Sequence, residues 1–119
     1  MARAEFDIVV IGGGAGGLVV AAGGAALGAK VALVEKHKMG GDCLNYGCVP
    51  SKTLLKSARV AHLMRTAADY NIPPHAPAPD IAHVMERVAA VIADIAPTDS
   101  PERLSCCTTG PKNFGGIER

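Results

Sequence analysis

Tryptophan is absent from this 119-residue chain, and two tyrosines and two phenylalanines are its whole aromatic content. So few rings leave little surface on which nucleic-acid bases could stack. Neither sign of charge is in excess: twelve Lys and Arg stand against eleven Asp and Glu, a formal net charge of +1, with the two signs interspersed. The basic footprint of a nucleic-acid-binding domain is therefore missing. Four cysteines, two of them in one closely spaced redox-type pair, fit a reducing, cytoplasmic setting better than a secreted disulfide framework. At this length one domain fits and two do not.

A further absence is local. From Ile8 to Ala29 no residue is charged, a stretch long enough for a membrane span or the apolar part of a signal sequence. Eight of those 22 residues are glycine, which lowers both hydrophobicity and helix propensity. Before the run, Arg3 is the only basic residue, and Glu5 and Asp7 offset it, so the basic flank of a signal is lacking. No membrane role is assigned. The run resolves instead into soluble elements. Phe6–Ile11 is an apolar, β-branched run suited to a buried parallel strand. Gly12–Gly17 is a turn, and Ala15–Leu27 is an Ala-rich helix that Gly28 closes. Val31–Val34 is a second buried strand and ends at Glu35.

Strand, glycine turn, helix and strand with a terminal acid form a dinucleotide cradle. Gly12 permits the tight turn, Gly14 admits a pyrophosphate to the backbone, and Gly17 allows close helix–strand packing. The helix start offers free N–H groups and partial positive charge to phosphates. Glu35 stands 23 residues after Gly12, where a carboxylate can accept from both ribose hydroxyls and repel a 2′-phosphate. NADP is disfavoured on that ground. Gly23 and Gly24, inside the helix, cost stability of about 1 kcal/mol each relative to alanine, and no sequence pattern accounts for them.

Beyond the second strand runs Gly41-Asp42-Cys43-Leu44-Asn45-Tyr46-Gly47-Cys48-Val49-Pro50-Ser51-Lys52, with Cys43 lying 26 residues after Gly17. On a regular helix two residues five apart point about 140° from one another, too divergent for easy bridging. Asn45, Tyr46 and Gly47 can supply a distorted turn between them. Pro50 suits a first helical turn, which leaves Cys48 at a helix N-terminus, a position that favours thiolate. Two other readings of the pair stand beside a redox dithiol. The cysteines could be zinc ligands completed by Cys106, Cys107 or His37, although the spacing is not that of common zinc knuckles. They could also be unpaired structural thiols.

Glycine cradle and cysteine block together resemble the N-terminal part of the class I pyridine nucleotide-disulfide oxidoreductases, over roughly residues 5–104 and most specifically over 40–56. The family includes dihydrolipoamide dehydrogenase, glutathione reductase and mercuric reductase. The resemblance implies FAD in this first cradle. It also implies NADH or NADPH as co-substrate at a second cradle, and no second GxGxxG occurs in the chain. It assigns cofactor contacts to Gly12, Gly14, Ala15, Gly16, Gly17, Glu35, Lys36, Gly40, Gly41, Asp42 and Lys52. Cys48 becomes the flavin-side sulfur and Cys43 the interchange thiol. No resident metal is implied. The substrate would be a small disulfide or a metal ion, and the assembly a homodimer.

Further along, Pro50–Asp69 is an amphipathic helix with Leu54, Leu55, Ala58, Ala61, Met64 and Ala68 on its apolar side. Four prolines between Asn71 and Pro79 make an extended loop. Asp80 caps a second helix whose face is Ile81, Val84, Val88, Val91, Ile92 and Ile95. His62, His75 and His83 lack partners at ligand spacing. Ile95–Leu104 is similar to the mercuric-reductase-like members. After Leu104 the similarity stops, and 105–119 reads as an irregular tail in which Leu104-Ser105-Cys106-Cys107 resembles the vicinal cysteines of mercuric reductases. A chance match, or a frameshifted or spliced end, is the account preferred for that tail over a functional mercury-binding pair.

The expected fold is α/β: a Rossmann-like βαβ FAD-binding unit followed by two helices, with an incomplete parallel sheet. Residues 1–104 form a partial FAD-binding domain with a redox-active dithiol. The functional expectation is a fragment of an FAD-dependent pyridine nucleotide-disulfide oxidoreductase, with little turnover alone because the family's nicotinamide and interface domains are not in these residues. The alternative is a non-catalytic dinucleotide-binding or dithiol module.

Overall fold

The computed structural model describes residues 5–106. Strand β1 (Ile8–Ile11) leads through the glycine turn into helix α1 (Ala15–Ala26) and then strand β2 (Val31–Val34). The strands pair in parallel, with Ile8 opposite Val31 and Ile11 opposite Val34. The peptide N–H groups of Asp7 and Ile8 both donate to the Lys30 carbonyl, at 2.9 and 3.2 Å. The Asp7 carboxylate accepts from the Lys30 N–H at 2.8 Å. Phe6 and Asp7 therefore lead into β1 rather than belonging to it, two residues short of the expected strand.

α1 lies on one face of this sheet. Leu18, Ala21 and Ala25 pack on Val31 and Leu33, with Ile8 and Val10 alongside. Contact is close because the helix presents glycine where it meets the strands. A Cβ on Gly24 would stand 3.1 Å from Ile8 Cδ1 and 3.2 Å from Val31 Cγ2. Gly24 is thus explained by packing, while Gly23 faces open space and nothing in the structure explains it. α1 stops at Ala26, and Gly28 at φ +90° turns the chain back, its N–H donating to the Ala25 carbonyl at 3.0 Å.

The two strands differ in burial. β2 is buried as expected, whereas β1 alternates, leaving Val9 59% and Ile11 87% exposed. The reason is geometric: α1 covers one face of β1, and the face bearing Val9 and Ile11 opens to solvent.

After β2 come a short helix α2 (Gly41–Asn45) and a long helix α3 (Cys48–Arg65). A 3-10 turn at Ala67–Tyr70 follows, and then the proline-rich extended segment. α3 starts two residues before Pro50, which occupies its third position, where the ring displaces no intrahelical hydrogen bond. It also ends four residues before Asp69, and Asn71, at φ 57°, turns the chain. α4 (Ile81–Ile95) packs on α3, and the Asp80 carboxylate accepts from the Ala82 N–H at 2.8 Å as the expected cap.

The packing stripes are narrower than the sequence pattern. On α3 the inward residues are Thr53, Ser57, Ala61 and Met64, while Leu54, Leu55 and Ala58 are exposed. On α4 Val84, Val88, Val91, Ile92 and Ile95 turn inward and Ile81 does not. A 3-10 turn (Ala96–Asp99) then leads to α5 (Pro101–Cys106), whose Leu104 is buried in the same core as Leu18 and Leu33. α5 continues two residues past Leu104. The rest of the tail, Cys107 included, lies outside the described residues.

Candidate functional site

The expected cradle forms. Gly12, at φ +103°, donates its N–H to the Val34 carbonyl at 2.8 Å and closes the turn against β2. A side chain on Gly17 would run into the Gly12 carbonyl oxygen, so only glycine lets α1 start this close to β1. Around Gly12, Gly14 and Gly16 an added Cβ would meet nothing within 4 Å. The backbone above the turn is thus approachable. The first turn of α1 opens there, with its unpaired N–H groups.

Glu35 reaches back onto this turn. One carboxylate oxygen accepts from the Gly13 N–H at 2.5 Å and the other from the His37 N–H at 2.8 Å. The Gly13 bond foremost, and the His37 bond next, hold the Glu35 carboxyl below the usual glutamate range.

A second glycine turn locks onto the first. Gly40 (φ +83°) donates to the Gly13 carbonyl at 2.8 Å, and a Cβ on Gly41 (φ +55°) would lie 2.7 Å from Gly14 Cα. Asn45 staples the turn from within, its side-chain amide donating to the carbonyls of Met39 at 3.1 Å and Gly41 at 2.9 Å. Leu44 is buried directly under Gly40. Gly13, Leu44 and Asn45 were not singled out as site residues from sequence. An Asn four residues after a glycine is the only signal that could have marked one of them.

The dithiol grows out of this second turn. α2 carries Cys43 and breaks at Tyr46 and Gly47, and Cys48 opens α3. Gly47 takes φ −116° and ψ −107°, and a Cβ there would lie 2.9 Å from the Asp42 carbonyl oxygen. The distorted turn expected between the cysteines is therefore present. Both are free thiols, Cys43 half-buried and Cys48 exposed. A hydrogen bond with the Cys48 side chain, then burial, pushes the Cys43 thiol up, partly countered by the Lys52 charge. Tyr46, in the intervening loop, meets His37 Nε2 at 3.3 Å, and the Lys38 ammonium lies 5.5 Å from its ring centre. Lys36, Asp42 and Lys52 are exposed around this arrangement, and Ala15 lines a cavity beside Cys43.

Among the described residues no three His, Cys, Asp or Glu side chains are grouped to hold a metal ion, so Cys43, Cys48 and His37 do not assemble a zinc site. Among the same residues no helix is long and apolar enough to cross a membrane.

A βαβ unit of the Rossmann type, with a dithiol turn locked onto its glycine loop, is the class that fold and site define. The model of the pyridine nucleotide-disulphide oxidoreductase family matches residues 6–102, and the chain belongs to that family. It is 52% identical over 68 residues to a dihydrolipoyl dehydrogenase of Acholeplasma laidlawii, covering 57% of this chain and 20% of that relative. It is 41% identical over 61 residues to a mercuric reductase of Bacillus cereus, covering 51% and 10%. A solved copper(II) complex of the HOCl-induced flavoprotein disulfide reductase RclA of Escherichia coli superposes with a TM-score of 0.68. That match has 26% identity and covers 93% of this chain and 21% of that one. The chain thus spans about a fifth of the length of the dihydrolipoyl dehydrogenases it matches.

Proposed function

We propose that this chain is the FAD-cradling, dithiol-bearing part of a flavoprotein disulfide reductase, in which electrons pass between flavin and the Cys43–Cys48 pair. The interlock of the two glycine turns carries the reading. Gly40 and Gly41, just ahead of Cys43, pack on Gly13 and Gly14, so a dinucleotide lying along the first turn ends beside the sulfurs.

The residues present fit such a ligand. Open space at Gly12, Gly14 and Gly16 admits phosphates, and the N-terminal N–H groups of α1 favour them. Each Glu35 oxygen accepts one backbone hydrogen bond and keeps a lone pair for a ribose hydroxyl. The same carboxylate repels a 2′-phosphate, which selects against NADP. Ala15 at the helix start, Lys36 beside the acid, and Asp42 and Lys52 beside the thiols complete the assigned contacts. When bound, the flavin supplies a two-electron donor and acceptor at this place.

The chain's own part is to hold the sulfurs and their proton. A Cys43–Cys48 disulfide that takes up two electrons breaks its S–S bond, and one proton yields a thiol and a thiolate. The Cys43 thiol is pushed up, first by its hydrogen bond with the Cys48 side chain and then by burial, which favours the proton on Cys43. Cys48 then faces the flavin and Cys43 the electron acceptor. In the longer relatives NADH or NADPH would supply the electrons, and a small disulfide or a metal ion would receive them. A reducing cytoplasm and a homodimer complete the reading.

FAD titration of the purified chain, read by absorbance, combined with differential alkylation and mass spectrometry, tests it. Flavin binding together with a reducible Cys43–Cys48 bridge is expected. Tight NADP binding without flavin binding, or a dominant bridge from either cysteine to Cys106 or Cys107, overturns it. FAD binding with no reducible bridge identifies the non-catalytic module instead.

A further inference from the structure

Between α1, the Gly40–Leu44 turn, the start of α3 and the end of α4 lies a cavity of about 250 Å³. Leu18, Val19, Leu44, Val49 and Ile95 make its walls largely apolar, and two polar side chains line it, Cys43 and Asp99. Asp99 ends the 3-10 turn after α4, so it reaches the cavity from a part of the sequence remote from both glycine turns. Its Oδ2 lies 3.0 Å from where a Cβ on Gly40 would stand, which places the carboxylate against the second glycine turn. Asp99 is half-buried, and among the described residues no hydrogen-bond donor or cation pairs with its carboxylate.

We propose that Asp99 is a further cofactor-binding residue, accepting a hydrogen bond from a hydroxyl of the chain that joins the flavin ring to the phosphates. The proposal rests on the FAD reading above. Charge decides which part of the ligand Asp99 can serve. A carboxylate repels phosphate but accepts from an alcohol. Phosphates belong at the first glycine turn and the α1 N-terminus, where free N–H groups gather. The ring must lie towards the dithiol if electrons are to reach it, and the dithiol turn borders this cavity at both ends, through Cys43 and through Val49, the neighbour of the flavin-side Cys48. The hydroxylated linker is what remains between those two ends. Asp99 is also placed by the fold: α5, which follows it at once, is held in the sheet core by Leu104.

The test is a titration of the whole chain with FAD and, separately, with ADP, which carries ribose and phosphates but neither linker nor ring. Wild type, Asp99→Asn, Asp99→Ala and Glu35→Gln are compared by calorimetry, with thermal unfolding of each unliganded protein as the check on folding. Both Asp99 variants are expected to weaken FAD about tenfold, the loss of one hydrogen bond to a charged group, and to leave ADP unchanged. Glu35→Gln is expected to weaken both ligands. Asp99 variants that bind FAD as the wild type does, or that lose FAD and ADP equally, overturn the proposal alone. A wild-type chain that fails to bind FAD sinks the FAD reading and the proposal with it.

Discussion

The glycine-bearing half of the chain and the helical hairpin after it are both rich in small and aliphatic residues, yet their contacts use those residues very differently. In the first half backbone meets backbone: Gly17 sits on Gly12, Gly41 on Gly14, and the Gly40 N–H on the Gly13 carbonyl. In the α3–α4 hairpin the contact is between side chains, and only Thr53 and Val88 are buried within the two helices. Leu54, Leu55, Val60 and Leu63 of α3 stay exposed. Backbone-to-backbone packing tolerates no added atom, because the atom it would strike cannot move aside. Side-chain packing between two helices can relax, and an exposed stripe has nothing to lose.

The largest expected effect follows directly. Gly17→Ala places a methyl on the Gly12 carbonyl oxygen and should cost about 3 kcal/mol or more, the upper end of overpacking. Urea denaturation followed by circular dichroism would read this as loss of the cooperative transition. A variant as stable as the wild type would break the comparison. In the hairpin, Val88→Ala should cost about 2 kcal/mol by opening a small cavity. Leu55→Ser, at a residue 66% exposed, should stay within about 0.5 kcal/mol. Equal effects of these two would mean that the hairpin packs by a face other than the one described.

Gly23 sharpens the contrast from inside the glycine half. It occupies the middle of α1 and a Cβ there meets nothing. Gly23→Ala should therefore stabilise the chain by about 1 kcal/mol, seen as a higher denaturation midpoint. Destabilisation would show that the open space at Gly23 is needed.

The smallest effect concerns pH. Two backbone hydrogen bonds lower the pKa of Glu35 in the folded chain, so its contribution to stability is present above the unfolded-state value of about 4.3 and is lost as pH falls through the lower folded value. Denaturation midpoints of wild type and Glu35→Gln, compared from neutral pH downwards, should differ most at neutral pH and converge in acid. A difference that stays constant in acid would refute the clamp.

Much of this was legible beforehand because local chemistry carried it. The tight turn at Gly12, the acid at the end of β2, the break between Cys43 and Cys48 and the Asp80 cap each follow from what one residue type can do with its own backbone or its near neighbours. The exposed faces of β1 and α3 were misread for the opposite reason. An apolar pattern states which residues could be buried, not whether an element arrives to cover them. Val9, Ile11, Leu54 and Leu55 keep the pattern without the cover.

The sequence by itself determined the βαβ cradle, the cysteine turn and the family, since glycine's freedom, a helix start and a carboxylate at fixed spacing act within short reaches of chain. Only the tertiary structure decided that the two glycine turns interlock, that Gly24 serves packing, that Glu35 clamps Gly13, and that Asp99 and Leu104 return to the cradle and its core. Those contacts join residues far apart along the chain, and no local preference encodes a meeting that depends on where every intervening element has folded.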